Sequence, residues 1–217
     1  MEKKDLDWGN IGFTYMPTDK RYVADYKDGE WGEGRLTADP MVVINECAGI
    51  LQYCQEIFEG LKAYTTEDGS IVTFRPDLNA ERMMDSAVRL EMPPFPKERF
   101  LEAVDAVVRE NAAWVPPYGS GATLYLRPYM FATGPVIGVK PSMEYQFRLF
   151  ATPVGPYFKG GAKPLTICEM CIRDSVGGLR AHGGHQRTQL ASAQIKLIRG
   201  PSGSLFAKIK PYIYHGR

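Results

Sequence analysis

A strand–turn–strand–proline–helix succession between residues 58 and 90 constrains this chain most. Residues 61–64 and 71–74 are short apolar-rich runs on either side of Glu67-Asp68-Gly69. Asp-Gly between two such runs favours a hairpin. The second run stops at Arg75-Pro76. A residue before proline is steered towards extended geometry, so Pro76 predicts an extended Arg75 that ends one element and opens another. Asp77 is a candidate N-cap for the helix that follows. Ala80, Met83, Met84, Ala87, Val88 and Leu90 then recur at helical spacing, predicting a helix over 78–90. A guanidinium is thereby fixed at a strand-to-helix junction, where its planar fork suits a phosphate or carboxylate.

The rest of residues 1–155 alternates strand and turn signals around one further helix. Residues 22–26 and those after Asp28-Gly29 predict a hairpin, and residues 41–44 a short apolar strand. In the polar segment 1–20, Trp8, Phe13, Tyr15 and Met16 are the anchoring side chains. Pro93, Pro94 and Pro96 break the first helix. A second helix is predicted over 97–113, with Phe100, Leu101, Val104, Val107, Val108 and Ala112 on its apolar face. In Ala122-Thr123-Leu124-Tyr125-Leu126-Arg127-Pro128, strand alternation puts Thr123, Tyr125 and Arg127 on one face. Residues 145–152 alternate likewise, with Tyr145, Phe147, Leu149 and Ala151 opposite Gln146, Arg148, Phe150 and Thr152. Residues 153–161 are rich in Gly and Pro and read as a linker. Strands separated by a pair of helices predict an α+β domain with a mainly antiparallel sheet.

Composition narrows function. The 217 residues are 44% hydrophobic and 24% charged with a formal net charge of +1, which is ordinary for a globular protein with a sizeable core. A balanced charge without basic blocks gives no case for nucleic acid or an anionic membrane. The charged start, Met1-Glu2-Lys3-Lys4-Asp5, lacks the apolar stretch of a signal peptide. Four unevenly spaced cysteines form no disulfide framework. These features predict a cytoplasmic protein with free thiols.

Phe58-Glu59-Gly60-Leu61-Lys62-Ala63-Tyr64, followed by Phe74-Arg75-Pro76 and Leu78-Asn79-x-x-Arg82-Met83, resembles the branched-chain amino acid aminotransferases. Leu124-Tyr125-Leu126-Arg127-Pro128 resembles the same family's second signature. The resemblance implies the small N-terminal domain of the D-amino-acid-transaminase-like fold (fold type IV), pyridoxal 5'-phosphate as cofactor, and a homodimer. It implies transfer of an amino group from leucine, isoleucine or valine to 2-oxoglutarate. By residue, it implies that Arg75 holds the cofactor phosphate. Phe13, Tyr53, Phe58, Tyr125 and Arg127 line the substrate site, and the apolar loop at 134–139 carries Val139 to a partner's pocket. Other enzymes of the fold, such as D-amino-acid transaminase or aminodeoxychorismate lyase, remain alternatives. So does a non-catalytic fragment that binds a phosphate ligand or a partner chain.

The recognisable motifs end at about Cys168. The resemblance divides the chain into a small domain (1–155), an interdomain loop with the start of a second domain (156–168), and an anomalous tail (169–217). The family's Schiff-base lysine, followed by a Gly-x-Asn-Tyr-like segment, has no counterpart, so no catalytic residue is assigned. Such a break points to a frameshift, a chimeric join or adapter read-through. Within the tail, Lys196 is the nearest stand-in for the lysine, but its surroundings do not fit. Cys168-x-x-Cys171 and His182-x-x-His185 could suggest zinc, but the His–His spacing is one residue short of the usual finger range and the surrounding sequence lacks a finger's apolar positions, so no metal is expected. A polypeptide without that lysine is expected to be inactive on its own.

Overall fold

Turn chemistry sets the first strands. The computed structural model describes residues 2–156, 195–199 and 205–209, and the chain divides into two units, Met1–Lys159 and Gly160–Arg217. In the first unit β1 (Arg21–Lys27) reverses into β2 (Glu30–Trp31) through Asp28 and Gly29, with φ of 55° and 89°. Two consecutive positive φ values give the turn that matches the native strand twist, which is why Asp-Gly serves here. The chain then returns along β1 as β3 (Arg35–Thr37). A short helix α1 (Gly49–Tyr53) leads to β4 (Glu56–Phe58), β5 (Leu61–Thr65) and β6 (Ile71–Thr73). Helices α2 (Pro76–Arg89) and α3 (Lys97–Glu110) follow, then a 3-10 turn at Ala112–Trp114. Two long strands, β7 (Thr123–Ala132) and β8 (Tyr145–Val154), complete the unit. The sheet order is β2-β1-β8-β7-β5-β6, with β3 beside β1 and β4 beside β7, all antiparallel.

The core lies between one sheet face and the two helices. Ala80, Met83 and Ala87 of α2, and Phe100, Ala103, Val104 and Val107 of α3, are buried against Leu61, Ala63, Leu124, Leu126, Met130, Phe147 and Leu149. The spacing of those sheet residues is the pleat itself, every second side chain facing the helices. Phe95 stacks on Phe147 with ring centroids 3.9 Å apart. Each such ring contributes roughly 1.5–3 kcal/mol by leaving water. Asn111, fully buried, ends α3. It donates to the carbonyls of Val107 and Lys20 and accepts from the Lys20 amide, tying the N-terminal segment to the helix end.

The structure revises several expectations. Residues 41–44 form no strand, and Met41 and Val43 are exposed. No described strand pairs with them, and an apolar run without a paired neighbour makes no strand. Val88 and Leu90 are also exposed. At about 100° per residue Val88 falls well off the stripe made by Ala80, Met83 and Ala87, and Leu90 lies just beyond the helix, as its C-cap. Arg75 is left-handed (φ 47°, ψ 51°), not extended, and the helix begins directly after it. Pro76 bars the right-handed helical region to Arg75; the close reversal from β6 into α2 takes the left-handed one. Asp77 is therefore inside the first turn rather than capping it, and its carboxylate meets the positive end of the helix. Helix α3 ends at Glu110, short of 113, and Pro153 and Val154 belong to β8 rather than to a linker.

In the second unit β9 (Ile195–Arg199) pairs antiparallel with β10 (Leu205–Ile209), placing Lys196 opposite Lys208. This hairpin was not foreseen in a stretch that shows little periodicity. Cys168, Cys171, His182, His185 and residues 157–161 lie outside the described residues.

Candidate functional site

Three consecutive residues before β5 organise the sheet face that the helices leave open. Glu59 accepts hydrogen bonds from Asn79 (2.8 Å) and from Arg82 (2.8 and 3.2 Å), while Asn79 also donates to the Gly60 carbonyl. Asn79 and Arg82 are one helical turn apart, so a single carboxylate clamps the start of α2 to the β4–β5 junction. The sequence displays these residues as a motif, but their role emerges only from this contact. At Gly60 a Cβ would stand 2.6 Å from the Tyr125 hydroxyl and 3.2 Å from its ring. Glycine is therefore required for the phenol to lie across this junction.

Tyr125 and Arg127 project from the same face of β7, as strand alternation predicts. Arg127 donates from Nε to the Tyr125 hydroxyl at 3.0 Å, and its guanidinium sits 4.4 Å over the Phe58 ring. The ring quadrupole and the phenol oxygen together hold the guanidinium in one orientation. Its terminal nitrogens make no hydrogen bond among the described residues, leaving a two-pronged donor free. Phe13 approaches from the N-terminal segment, its ring centroid 5.9 Å from that of Tyr125. Phe13, Phe58, Tyr125 and Arg127 thus form one cluster. Phe58 is half exposed there, so the cluster has an open side.

Tyr53 and Val139 meet a second feature. The loop after β7 is fixed at its base, where the Gly49 amide donates to Gly134 and the Val136 amide to Cys47. The Tyr53 hydroxyl donates to the Ile137 carbonyl. The tip is left bare, with Ile137 77% and Val139 90% exposed. Val139 thus stands almost wholly exposed.

Arg75 stands exposed at the start of α2. Its Nε and Nη2 engage both carboxylate oxygens of Asp77, at 3.0, 3.3 and 2.9 Å. These hydrogen bonds hold the Asp77 carboxyl below its usual range and raise the guanidinium further. Nη1 is not engaged. Arg75 can therefore take a phosphate from one edge at once, and from both edges if Asp77 gives way.

The open face also carries two clefts that none of these residues lines. One, of about 340 Å³, lies among Val23, Arg35, Asp39, Gln146 and Arg148. The other, of about 510 Å³, lies among Tyr15, Arg21, Met41, Tyr129, Arg148 and Phe150. Among the described residues, no group of three or more His, Cys, Asp or Glu could hold a metal ion, and no helix is long and apolar enough to cross a membrane.

No family model matches the sequence. Curated relatives do. The chain is 47% identical to a branched-chain-amino-acid aminotransferase of Haemophilus influenzae over 94% of its own length, spanning 60% of that protein. It is 41% identical to the Helicobacter pylori protein of the same name over 87% of its length, spanning 57% of that one. Cys168 is residue 168 of 217, so an alignment over 94% of the chain continues past the point where the recognisable motifs end. Among solved structures, the branched-chain aminotransferase of the archaeon Thermoproteus uzoniensis, crystallised with norvaline, superposes with a TM-score of 0.51 at 26% identity. That match covers 65% of this chain and 43% of that one. The α+β sheet with its pair of helices is thus the fold type IV architecture, present over part of the enzyme's length.

Proposed function

We take as premise that this chain is homologous to the branched-chain-amino-acid aminotransferases, and propose that it carries the substrate-side wall and one phosphate arm of a branched-chain transaminase. The chain spans about three fifths of the length of those two relatives, so substrates, cofactor and assembly are all part of the proposal. One observation carries it: a free guanidinium fork, oriented by Tyr125 and Phe58, beside an aromatic surface. A branched-chain amino acid or its 2-oxo acid has those two parts, a carboxylate and an apolar side chain. Arg127 binds the carboxylate through its terminal nitrogens. Phe13, Phe58 and Tyr125 pack the side chain and exclude water from it.

Pyridoxal 5'-phosphate fits at Arg75, whose Nη1 is free among the described residues and whose remaining donors are held only by the half-buried Asp77. When bound, the cofactor supplies the electron sink for the deprotonated substrate. Arg75 neutralises phosphate charge, and Glu59 keeps Arg75 in place by fixing the start of α2 to the sheet. The proton-carrying lysine has no counterpart among the motifs, so the 217-residue polypeptide by itself is proposed to be inactive. The proposal includes a cytoplasmic homodimer, in which the bare loop tip with Val139 contacts the partner. The missing lysine favours a second reading, a non-catalytic fragment that binds a phosphate ligand at Arg75.

Incubation with leucine, 2-oxoglutarate and pyridoxal phosphate tests the first reading. No glutamate is expected from this chain alone. Pyridoxal phosphate is expected to bind more weakly after Arg75→Ala, and pyridoxal without phosphate to be insensitive to the change. Equal sensitivity of the two compounds would remove Arg75 from the phosphate role. Glutamate formation at a rate tied to one labelled lysine would overturn the proposed inactivity.

A further inference from the structure

Two arginines are buried on the open sheet face without a carboxylate partner. Arg21 is 4% exposed and Arg148 6%. Arg21 donates to the carbonyls of Ala38 (2.9 Å) and Thr18 (3.0 Å), and its buried Nε has no partner. Arg148 donates to the Gln146 side-chain oxygen at 3.0 Å and, at 3.3 Å, to the Asp39 carbonyl. All four acceptors are neutral. Asp25 is the carboxylate that feels Arg148, but it is already engaged by Arg35 at 2.8 Å and Gln146 at 2.6 Å. A guanidinium cannot shed its proton, so both sites remain charged, and an uncompensated buried charge is among the costlier features of a fold. Both line the cleft of about 510 Å³, whose other walls are Tyr15, Pro17, Met41, Tyr129 and Phe150. Both charges also reach the Tyr129 phenol, where they oppose the upward push of burial on its ionisation.

We propose that this cleft binds a small carboxylate with an apolar body, its anion held between Arg21 and Arg148 and its body packed on Tyr15, Met41 and Phe150. The volume suits a small organic molecule. A bare inorganic anion would answer the charge but leave the aromatic walls wet. Tyr15 and Phe150 already meet edge to face at 5.7 Å, and Tyr129 meets Phe150 at 6.0 Å, giving the body a rigid seat. The cleft adjoins the Arg127 cluster, with Phe150 opposite Arg127 and Tyr129 opposite Phe58 across the sheet, but its anion seat is a different pair of arginines and does not depend on the transaminase reading.

Titration of the full chain with 4-methylpentanoate, its neutral amide and inorganic phosphate provides the test. In Arg127→Leu, which lacks the cluster's own carboxylate site, one equivalent of the acid is expected to bind. The amide and phosphate are each expected to bind at least tenfold more weakly, since charge-assisted hydrogen bonds and apolar packing are each worth about a factor of ten or more. Adding Arg148→Met to Arg127→Leu is expected to weaken that binding tenfold or more. In the unsubstituted chain, the Nε–H resonances of Arg21 and Arg148 are expected to shift on saturation with the acid, a readout that survives if Arg148→Met does not fold. Absence of those shifts, equal binding of the amide or phosphate, or no remaining equivalent of the acid in Arg127→Leu would each overturn the proposal.

Discussion

The two faces of the central sheet obey different rules although they are made of the same strands. Towards the helices, Leu124, Leu126, Phe147 and Leu149 are fully buried and the packing is predominantly apolar. On the open face, the intervening residues of β7 and β8 are Tyr125, Arg127, Tyr129, Gln146, Arg148 and Phe150. One face is a core that closes on itself. The other combines cations and aromatic rings whose hydrogen-bonding capacity is only partly used. Residue for residue, the first should govern stability and the second binding.

Four substitutions or conditions can break that contrast, in decreasing order of effect on stability. Phe147→Ala removes the ring against which Phe95 stacks and should cost about 3–5 kcal/mol in a denaturant melt. A cost below ~1 kcal/mol would mean that the helical face is not the core. Glu59→Ala frees the buried Asn79 amide and should cost about 1–3 kcal/mol. It should also weaken pyridoxal phosphate binding at Arg75 by loosening α2, which Glu59→Gln should partly restore. Arg127→Leu should change stability by less than about 1 kcal/mol, the range of an exposed cation–ring contact, while removing carboxylate binding at the aromatic cluster. A large stability loss there would blur the distinction between the faces.

The smallest effect concerns acid. Burial pushes the Asp25 carboxyl up, but hydrogen bonds from Gln146 and Arg35, with the charges of Arg35 and Arg148, outweigh it and hold the group below its ordinary value. A depressed value in the folded state gives stability that is fully present above the unfolded value, near about 4, and lost as pH falls through the folded one. Asp25→Asn should therefore lower stability at neutral pH, where the contribution is fully present, and converge with the parent in acid, flattening the profile below about pH 4. An unchanged acid limb would detach Asp25 from the arginines around it.

Legibility in the sequence followed the same division. The helix-facing residues announced themselves by period, 2 along β7 and β8 and 3 to 4 along α2 and α3. Asp28-Gly29 announced its turn because few residue pairs accept two positive φ values. The Tyr125–Arg127 pairing was visible from alternation alone. Arg75's handedness was not, because the proline rule excludes one conformation and leaves the choice among the others to tertiary geometry. Nor were the buried arginines. Arginine is rarely buried, and the alternation that placed Arg148 opposite the core says nothing about whether the opposite face is covered. Met41 and Val43 misled for the converse reason, since apolar residues at an unpaired position carry no strand.

Strand β1 has one neighbour from far along the chain: Tyr22 pairs with Leu149, and Ala24 with Phe147. During synthesis the β1–β2 hairpin is complete once about thirty residues exist, yet the strand that covers its other edge follows roughly 120 residues later. At about 5–20 residues per second, that edge waits on the order of 6–24 s. A lone hairpin is marginal in water, so Val23 and Ala24, almost wholly hidden in the finished sheet, spend that interval unprotected. The sheet can close only after β8 has been made, and every newly made copy passes through a stage in which an unpaired strand edge is available to another chain.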